Sequence, residues 1–409
     1  MLNSKQEREL AYLVRIDNIT PIEGYDRVEL AHVGGWTIVV GKEDLCTGDL
    51  AIYFEIDSQV PEVEPFSSMD FLIKKHFKIK TQKMCKSISQ GMICPISAFK
   101  QYSQLDEDSI INNETKEIHT VDTDTRFLTN ELNVTYATLE DNIRKSSGKK
   151  ISKYQKMLNK HPELYKNPIT RFIYKFKLGK IILYTVYGKD VREYSWPEWV
   201  TKSDEERIQN CKYILDDKSP WIVTEKIDGT STTFTLKQNG RKRDYFVCSR
   251  NVCFGPNNSK SQNDRCYYES NVYKEMSEKY KIEEFLNWYM DEFNVSWVTL
   301  QGETYGEGIQ KRTYSINEHN FAGFNLIDSL HGRYNSVVAS KICEPYGIPW
   351  VPILDKRYIL PDTVEEVLAY AKGKSVLDDL PREGIVFRSF DAKKSFKAVS
   401  NEYLLKYHQ

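Results

Sequence analysis

Short runs of alternating apolar and polar residues dominate the first hundred positions of the chain. Five such runs, each bounded by turn-forming residues, predict five short β-strands. The pair Gly34-Gly35 separates two of them by the spacing of a tight hairpin. No helical period interrupts the runs, so the pattern predicts a small OB-like β-barrel, a fold that often binds nucleic acid. The runs cover residues 10–16, 27–33, 36–40, 51–56 and 91–96.

A lysine-rich stretch lies between the last two predicted strands. Aromatic residues are interleaved with the lysines, and no acidic residue occurs from position 71 to position 86. Such a stretch suits contact with phosphates, although charged side chains also protect an exposed strand edge from aggregation. We expect a nucleic-acid contact formed by Lys74, Lys75, Lys78, Lys80 and Lys83.

The composition changes in the middle of the chain. Residues 141–180 contain twelve lysine and arginine residues and two acidic residues. Residues 152–164 have helical spacing, whereas Phe172, Tyr174 and Phe176 alternate as in a strand. This basic connector either lies along a phosphate backbone or is a solvated linker.

The pattern becomes globular again after residue 193. Residues 201–208 have the acidic first turn of a capped helix. A β-branched run then leads to Lys226, Asp228 and Gly229, and a second apolar run follows over residues 232–236. The two runs predict a hairpin with Lys226 at its mouth.

A lysine at such a turn can act as a nucleophile if it loses its proton. The free side chain has a pKa of ~10.4, so burial or a neighbouring cation is needed to make the neutral amine accessible. The amine then attacks an electrophile such as the α-phosphate of a nucleotide. The alternative is that Lys226-Ile-Asp-Gly229 is only a charged turn between two strands.

Five further residues of a type that nucleotidyl transfer requires follow in order. Arg250 suits a phosphate or ribose, and Glu303 a ribose hydroxyl or hydrated metal. Phe324 offers an aromatic face for a base, and Lys397 a charge for phosphate. Each also has a purely structural interpretation, but the ordered set is more specific than any member. The five are Arg250, Glu303, Phe324, Glu383 and Lys397.

Bulk properties restrict the classes further. A chain of 409 residues suggests two domains, and a net charge of −1 leaves only local patches to attract nucleic acid. The eight cysteines form no Cys-x-x-Cys pair, which favours reduced thiols in an intracellular protein. No apolar run is long enough to span a bilayer. We therefore expect a soluble intracellular monomer without membrane association.

The ordered motifs resemble the covalent nucleotidyltransferase superfamily of DNA ligases, RNA ligases and mRNA-capping enzymes. Within it, the chain is most similar to ATP-dependent RNA repair ligases with an N-terminal OB domain. The similarity is strongest from Trp196 to Leu405 and weaker in the barrel, around the run Ser87-Ile-Ser-Gln-Gly91. It implies an α+β protein in which an OB-like barrel and a basic connector precede an adenylyltransferase domain of antiparallel sheets flanked by helices. The expected domains are residues 1–138, 139–192 and 193–409.

The resemblance also implies roles for individual residues. Lys226 would accept AMP from ATP, and Lys397 would bind the α-phosphate. Arg250 and Glu303 would engage the ribose and phosphates, and Phe324 would stack on adenine. Three carboxylates would hold Mg²⁺ or Mn²⁺ through water, and three residues beside the lysine would line the nucleotide site. The carboxylates are Asp228, Glu303 and Glu383, and the lining residues are Glu225, Ile227 and Ser231.

One position departs from the family pattern. Many relatives carry two lysines, one residue apart, in the last motif, and here the first of them is Ser395. Lys393 or Lys394 are candidates to replace it in neutralising the leaving pyrophosphate.

These observations predict an ATP-dependent RNA ligase. It would join RNA 3′-hydroxyl and 5′-phosphate ends, at a nick in a duplex or at broken ends, through lysyl-AMP and an AMP-capped 5′ end. Capping guanylyltransferases and DNA ligases of the same superfamily usually place an OB domain after the last motif, where only twelve residues follow Lys397 here. A non-catalytic RNA-end-binding protein is the alternative from a different class.

Overall fold

The computed structural model describes residues 1–3, 7–104, 126–136, 152–188, 194–256, 270–310 and 314–407. The predicted mixture of helices and antiparallel strands is confirmed. The chain forms two compact units, and each combines separated stretches of sequence. Unit 1 comprises Met1–Asn142, Asp204–Ile227 and Pro352–Gln409, and unit 2 comprises Ile143–Ser203 and Asp228–Val351.

The named elements are numbered along the chain. The strands are β1 Ala11–Arg15, β2 Asn18–Ile22, β3 Tyr25–Val33, β4 Trp36–Gly41, β5 Leu50–Phe54, β6 Ser58–Gln59, β7 Gln82–Met84, β8 Ser87–Ser89, β9 Met92–Pro95, β10 Thr135–Tyr136, β11 Pro220–Lys226, β12 Thr230–Asn239, β13 Lys242–Ser249, β14 Cys253–Pro256, β15 Trp297–Gly306, β16 His319–Asp328, β17 Gly332–Arg333, β18 Ile353–Ile359, β19 Gly384–Ser389 and β20 Ser395–Val399. The α-helices are α1 Asp70–Ile73, α2 Lys153–Lys160, α3 Pro162–Lys166, α4 Pro168–Ile173, α5 Lys177–Tyr187, α6 Val272–Lys279, α7 Ile282–Phe293, α8 Ser336–Cys343, α9 Val364–Ala371 and α10 Asn401–Tyr407.

The first part of unit 1 is the predicted barrel. Its sheets have the strand orders β1-β5-β9 and β2-β3-β4, with short pairs β7-β8 and β10-β6. Each of the five predicted strands is present to within two residues, and Val33 pairs with Trp36 across the Gly34-Gly35 turn. The pattern missed β2, because Pro21 and Gly24 indicate a turn. Pro21 is tolerated there since β2 is an edge strand and an edge position needs no donor from proline.

The second part of unit 1 is a four-stranded antiparallel sheet with the order β18-β11-β19-β20. Apolar side chains of β11, β19, β20 and α9 form a common core that includes Trp221, Phe387 and Phe396. The alternation of buried residues along β11 is absent, since the strand is central and both of its faces are covered.

Unit 2 contains a six-stranded antiparallel sheet with the order β14-β13-β12-β15-β16-β17. Helices α6 and α7 pack on it through residues such as Met276, Phe285 and Leu286. Helices α2 to α5 form a separate small cluster around Met157, Leu158, Leu164 and Leu183.

Two predicted elements are wrong. Phe172 lies in α4 rather than in a strand, because Pro168 is favourable at the first turn and the Asn167 side chain caps the helix by accepting from two backbone N–H groups. No α-helix begins in residues 201–208. Glu205 and Glu206 are the expected first-turn acids. Their carboxylates instead accept hydrogen bonds from other side chains of unit 1.

Two expectations drawn from composition can be compared with the structure. In the part of the chain that is described, no helix is long and apolar enough to cross a membrane. Seven of the eight cysteines are described, and none of these seven forms a disulfide bond. Cys266 and parts of the connector, residues 139–151 and 189–192, lie outside the described residues.

Candidate active site

Lys226 is the last residue of β11, the central strand of the four-stranded sheet. The antiparallel register pairs Lys226 with Gly384 at the start of β19, so that Glu383 comes beside the lysine. The Nζ of Lys226 donates a hydrogen bond to Oε2 of Glu383 at 2.8 Å. The lysine side chain is 25% exposed and the glutamate side chain 9% exposed. The sheet therefore presents an accessible amine that is held by a buried carboxylate.

The predicted hairpin at Lys226 is wrong. Strand β11 pairs with β18 and β19, whereas β12 pairs with β13 and β15. The turn at Asp228 and Gly229 therefore carries the chain from one sheet to another. Local alternation cannot distinguish such a passage from a hairpin, since both consist of two strands and a short turn.

Lys397 belongs to the same sheet as Lys226. It lies on β20 opposite Val386, and its backbone N–H donates to the carbonyl of Glu206 at 2.7 Å. Burial lowers the pKa of Lys397 to about 7, and the nearby charges of Arg8, Arg207 and Lys226 act in the same direction. Asp204 opposes this shift. An approaching anion would consequently favour the protonated, charged form of Lys397.

The cationic surroundings of Lys397 were missed by the sequence analysis. Arg207 forms a parallel β-bridge with Lys397 and donates to Asp57 of the barrel at 3.2 Å. Arg8 lies in the N-terminal segment and pairs with the buried carboxylate of Glu55 at 3.1 Å. No motif spacing connects these arginines with the last motif, because tertiary folding of unit 1 alone brings them together.

Glu225 and Ile227 flank the lysine. The carboxylate of Glu225 is buried and accepts hydrogen bonds from the Ser375 hydroxyl and from the Val376 backbone N–H at 2.9 Å. Ile227 is 3% exposed. In this structure the Glu225 side chain thus fixes a loop of unit 1, and any contact of this residue with a nucleotide would involve its backbone.

Asp228, Gly229 and Ser231 begin the part of the motif that lies in unit 2. The backbone N–H of Asp228 donates to the Tyr314 hydroxyl at 2.6 Å. A Cβ atom on Gly229 would lie 2.3 Å from the Thr304 carbonyl oxygen, so only glycine fits. The Ser231 hydroxyl lies 2.8 Å from that of Ser203. The turn is thus anchored on both sides of the glycine.

Glu303 lies next to this turn on β15. It pairs with Ser231 of β12 and with Ala322 of β16. The register shifts between Gln301 and Gly302, which leaves Phe324 of β16 as the extra residue of a β-bulge. Bulges re-aim a side chain beside functional sites, and Phe324 is half-buried at this position. Unit 2 therefore brings Ser231, Glu303 and Phe324 to neighbouring positions of one sheet.

Arg250 follows the last residue of β13. Its neighbour Ser249 pairs with Thr232, one residue beyond Ser231. Arg250 is half-buried. Ser231, Glu303 and Phe324 thus lie on the adjacent strands β12, β15 and β16, and Arg250 directly follows β13, the next strand of the same sheet.

Ser395 stands where many relatives have a lysine. It is buried, its hydroxyl donates to Glu205, and Glu205 also accepts from Arg388 at 2.9 Å. Lys394 pairs with Asp217 at 3.2 Å, and the side chain of Lys393 is 82% exposed. A lysine at position 395 would have to bury its charge beside Arg388, which the serine avoids.

The predicted nucleic-acid lysines lie on the barrel of unit 1. Phe77 and Ile79 of this stretch are buried in the barrel core, whereas Lys74 and Lys83 are exposed and Lys78 and Lys80 are half-buried. Lys75 is partly buried, and this lowers its pKa. The five lysines thus lie along one edge of the barrel, over residues 74–83.

Comparison with known proteins gives matches for both parts of the chain. Residues 219–407 match the family model described as RNA ligase, and residues 10–96 match a model described as an OB-fold domain. No protein with a curated description matches the chain.

Solved structures of an RNA ligase from Naegleria gruberi are similar over nearly the whole chain. The structure with PPi has a TM-score of 0.68 and 24% identity, covering 97% of this chain and 98% of that chain. A glutamate-to-alanine mutant with ATP and Mn has a TM-score of 0.69 and 23% identity, covering 98% and 100%. Another such mutant, with AMP and Mn, has a TM-score of 0.68 and 24% identity, covering 97% and 98%.

The fold of these structures agrees with the predicted α+β architecture, and the two family models agree with the predicted order of its parts. The chain carries an RNA ligase domain behind an N-terminal OB-fold domain, and the enzyme class predicted from the motifs, RNA ligase, is confirmed.

Proposed function

We propose that this protein is an ATP-dependent RNA ligase that joins 3′-hydroxyl and 5′-phosphate ends of RNA through a lysyl-AMP on Lys226, in RNA repair. The observation that carries the proposal is the contact of Lys226 with Glu383 at 2.8 Å, at the accessible end of a buried strand. The Naegleria gruberi structures with ATP, AMP and PPi support the same nucleotide chemistry.

In the first step, the Nζ of Lys226 attacks the α-phosphorus of ATP. A nitrogen–phosphorus bond forms, the bond from the α-phosphorus to the bridging oxygen breaks, and pyrophosphate leaves. Only a neutral amine attacks, whereas a carboxylate at hydrogen-bond distance stabilises the ammonium form. Lys226 must therefore leave Glu383 and give up a proton before the bond forms.

Glu383 is suited to control this release. Its side chain is 9% exposed and lies on the same sheet as the nucleophile. If Glu383 turns to a hydrated cation, the ammonium loses its partner, and the neutral amine becomes more accessible. The same residue would thus hold the lysine in the absence of nucleotide and free it in the presence of nucleotide and metal.

The metal we propose is Mg²⁺ or Mn²⁺, held through water by Asp228, Glu303 and Glu383. Within the described residues no group of three or more histidine, cysteine or carboxylate side chains can hold a metal directly. This fits a hydrated divalent ion, since Mg²⁺ usually keeps several waters and binds through few carboxylates and substrate phosphates. Such an ion would offset the charge that develops on the phosphates.

The nucleotide contacts follow from the residue types. Lys397, whose pKa is about 7, gains a proton and a charge as the α-phosphate approaches. Phe324 supplies an aromatic face for adenine from its bulge, and Arg250 and Glu303 engage the ribose and phosphates. We assign Glu225, Ile227 and Ser231 to the lining of the nucleotide site.

The two later steps use RNA. An oxygen of the RNA 5′-phosphate attacks the phosphorus of lysyl-AMP, Lys226 leaves, and a 5′-5′ pyrophosphate bond forms. A 3′-hydroxyl then attacks the 5′-phosphate of the capped end, so that a phosphodiester forms and AMP departs. We assign the phosphate backbone of the RNA, whether a nicked duplex or broken ends, to the barrel lysines Lys74, Lys75, Lys78, Lys80 and Lys83.

We propose domain boundaries at residues 138 and 192. We also propose that the protein acts as a monomer inside the cell. The lack of a disulfide bond at the seven described cysteines supports a reducing compartment.

The deciding experiment is labelling of the purified protein with α-labelled ATP or GTP in Mg²⁺ or Mn²⁺, followed by denaturing electrophoresis. We expect a labelled band with ATP that is absent in Lys226→Met. The matched control is Lys356→Met, which removes an exposed lysine from the same unit and should leave the labelled band unchanged. Labelling by GTP but not by ATP would identify a capping-type activity. Labelling that is retained in Lys226→Met would contradict the assignment of Lys226 as the nucleophile.

A further inference from the structure

Helices α4 and α5 expose a continuous apolar surface. Along α5, Leu178, Ile181, Ile182 and Val186 follow the spacing of one helical face and are 70%, 43%, 53% and 57% exposed. Ile169, Phe172 and Phe176 extend this surface along α4 and the turn after it, at 70%, 60% and 55%. These seven residues are named here the α4–α5 face.

The α4–α5 face is not an incompletely buried part of the core that these helices share. The adjoining side of α5 already packs inward, where Leu183 is buried with Met157, Leu158 and Leu164. A Cβ atom on Gly179 would lie 2.0 Å from the Ile173 carbonyl oxygen, so α4 and α5 are in close contact. The helix cluster therefore has its own small core, and the α4–α5 face is a second apolar surface outside it.

The charge around this face has a single sign. Residues 164–188 contain five cationic and no acidic residues. Lys180 and Arg171 lie over the rings of Tyr174 and Tyr165, at 5.0 and 5.5 Å, while Lys175 and Lys177 are exposed. An exposed aliphatic face within a purely basic segment is the composition of an interfacial helix that binds anionic lipid.

Other occupants fit these features less well. A second copy of the chain would bring two basic segments together and face like-charge repulsion. RNA would satisfy the lysines, but five of the seven residues of the α4–α5 face are aliphatic and offer no ring for base stacking. Anionic lipid headgroups complement the charge, and the acyl boundary beneath them accommodates the aliphatic side chains.

We propose that the α4–α5 face is a peripheral membrane-binding surface that docks the protein on anionic lipid. The expectation of no membrane association was based on the lack of a spanning segment, and a helix that lies in the interface needs none. The role is independent of the ligase chemistry proposed above, because none of its residues is assigned to the nucleotide or to RNA.

The test is co-sedimentation of the full chain with vesicles of phosphatidylcholine, alone or with about a third of phosphatidylserine, the negative charge that a polybasic surface recognises. We expect binding to the anionic vesicles only, weakened by salt. The triple variant Leu178→Ser, Ile181→Ser, Ile182→Ser should abolish it. The double variant Lys175→Gln, Lys177→Gln should weaken it roughly thirtyfold, given the attraction that each basic residue contributes near such a surface.

The matched control is the triple variant Leu330→Ser, Val338→Ser, Val376→Ser, which removes aliphatic side chains of similar exposure elsewhere, at 68%, 39% and 65%. It should bind vesicles as the wild type does. Adenylylation of every variant reports whether the protein is folded. The proposal is overturned if the wild type ignores anionic vesicles or if the α5 triple variant still binds them. It is also overturned if the only effect of the α5 triple variant is a loss of RNA sealing. The same holds if its only effect is a loss of self-association, measured by sedimentation velocity.

Discussion

The Nζ of Lys226 lies 2.8 Å from Oε2 of Glu383, although the two residues are 157 positions apart in the chain. The antiparallel register of β11 and β19 produces this contact, since it places Gly384 opposite Lys226. One carboxylate thereby holds the nucleophile, and it is also one of the three carboxylates that we assign to a hydrated metal.

Glu383→Gln should lower the rate of adenylylation about 10²- to 10³-fold, the usual effect of losing one preorganised charge at a reacting centre. The amide retains the shape of the side chain but removes the charge that attracts a hydrated cation. Rates of label incorporation at several Mn²⁺ concentrations would measure the loss. Glu402→Gln, which removes a half-exposed carboxylate of unit 1, is the control and should leave the rate unchanged. Equal rates in wild type and Glu383→Gln would exclude the proposed role.

Lys397 should take up a proton when ATP binds. Its pKa of about 7 is below the ordinary value because burial disfavours the charged form, so at pH 8 the side chain is mostly neutral. A bound phosphate raises the pKa again, and a proton then enters from solvent. Calorimetric titration of ATP at pH 8 without divalent metal, so that Lys226 is not released from Glu383 and no lysyl-AMP forms, should show an uptake approaching one proton per site in buffers of different ionisation enthalpy.

Two variants test whether Lys397 is the group that takes up this proton. Lys397→Arg keeps its charge at pH 8 and should bind ATP without the extra proton. Lys397→Met should bind ATP more weakly and also without it. Since ATP and its other contacts are the same in all three proteins, an unchanged proton uptake in both variants would assign the proton to another group.

Gly229→Ala should destabilise the turn that follows the nucleophile. The added methyl would lie 2.3 Å from the Thr304 carbonyl oxygen and 2.9 Å from Cγ of Glu303, so β12 and β15 must separate. We expect a cost of about 1–3 kcal/mol in the free energy of unfolding, as for overpacking elsewhere, and a loss of adenylylation. Denaturant unfolding would measure the cost.

Gly240→Asn is the control for this substitution. Gly240 has a left-handed backbone conformation and open space around its Cβ position, which asparagine tolerates. Its stability and labelling should stay close to those of the wild type. Wild-type stability in Gly229→Ala would mean that the strands move apart more easily than their register indicates.

The order of the site residues was predictable from the sequence, but their pairing was not. Lys226 ends a strand, Glu303 lies within one and Glu383 directly precedes one, and the runs of β-forming residues around them are visible locally. The strand partners are not local: β12 pairs with β15 across more than fifty residues, and the predicted hairpin with β11 does not form. The bulge at Phe324 likewise depends on the neighbouring strand and has no signature in its own sequence.

Tertiary contacts also decided the conformation of residues 205 and 206, where a helix was predicted. Glu205 and Glu206 have the spacing of a helix start, but the ion pair of Glu205 with Arg388 and the burial of Glu206 determine their conformation. The arginines around Lys397 come from the N-terminal segment and from residue 207, and nothing in the last motif indicates them. Local propensity is a weak guide where long-range charge pairs are buried.

Neutralising the barrel lysines should affect RNA joining without affecting the first chemical step. The variant Lys74→Gln, Lys75→Gln, Lys78→Gln, Lys80→Gln removes four charges from one edge of the barrel, and each lost phosphate contact removes a released counterion. We expect normal adenylylation, weaker RNA binding, and a plot of log affinity against log salt that is less steep by about 0.7 to 0.9 per lost contact. Filter binding of a nicked RNA duplex between 50 and 200 mM salt, roughly the range in which such contacts dominate, would measure the slope. The matched control removes four exposed lysines from elsewhere, Lys42, Lys242, Lys341 and Lys356. Because both variants change the net charge equally, a slope altered to the same extent in both would assign the effect to overall charge and remove the barrel edge from the RNA path.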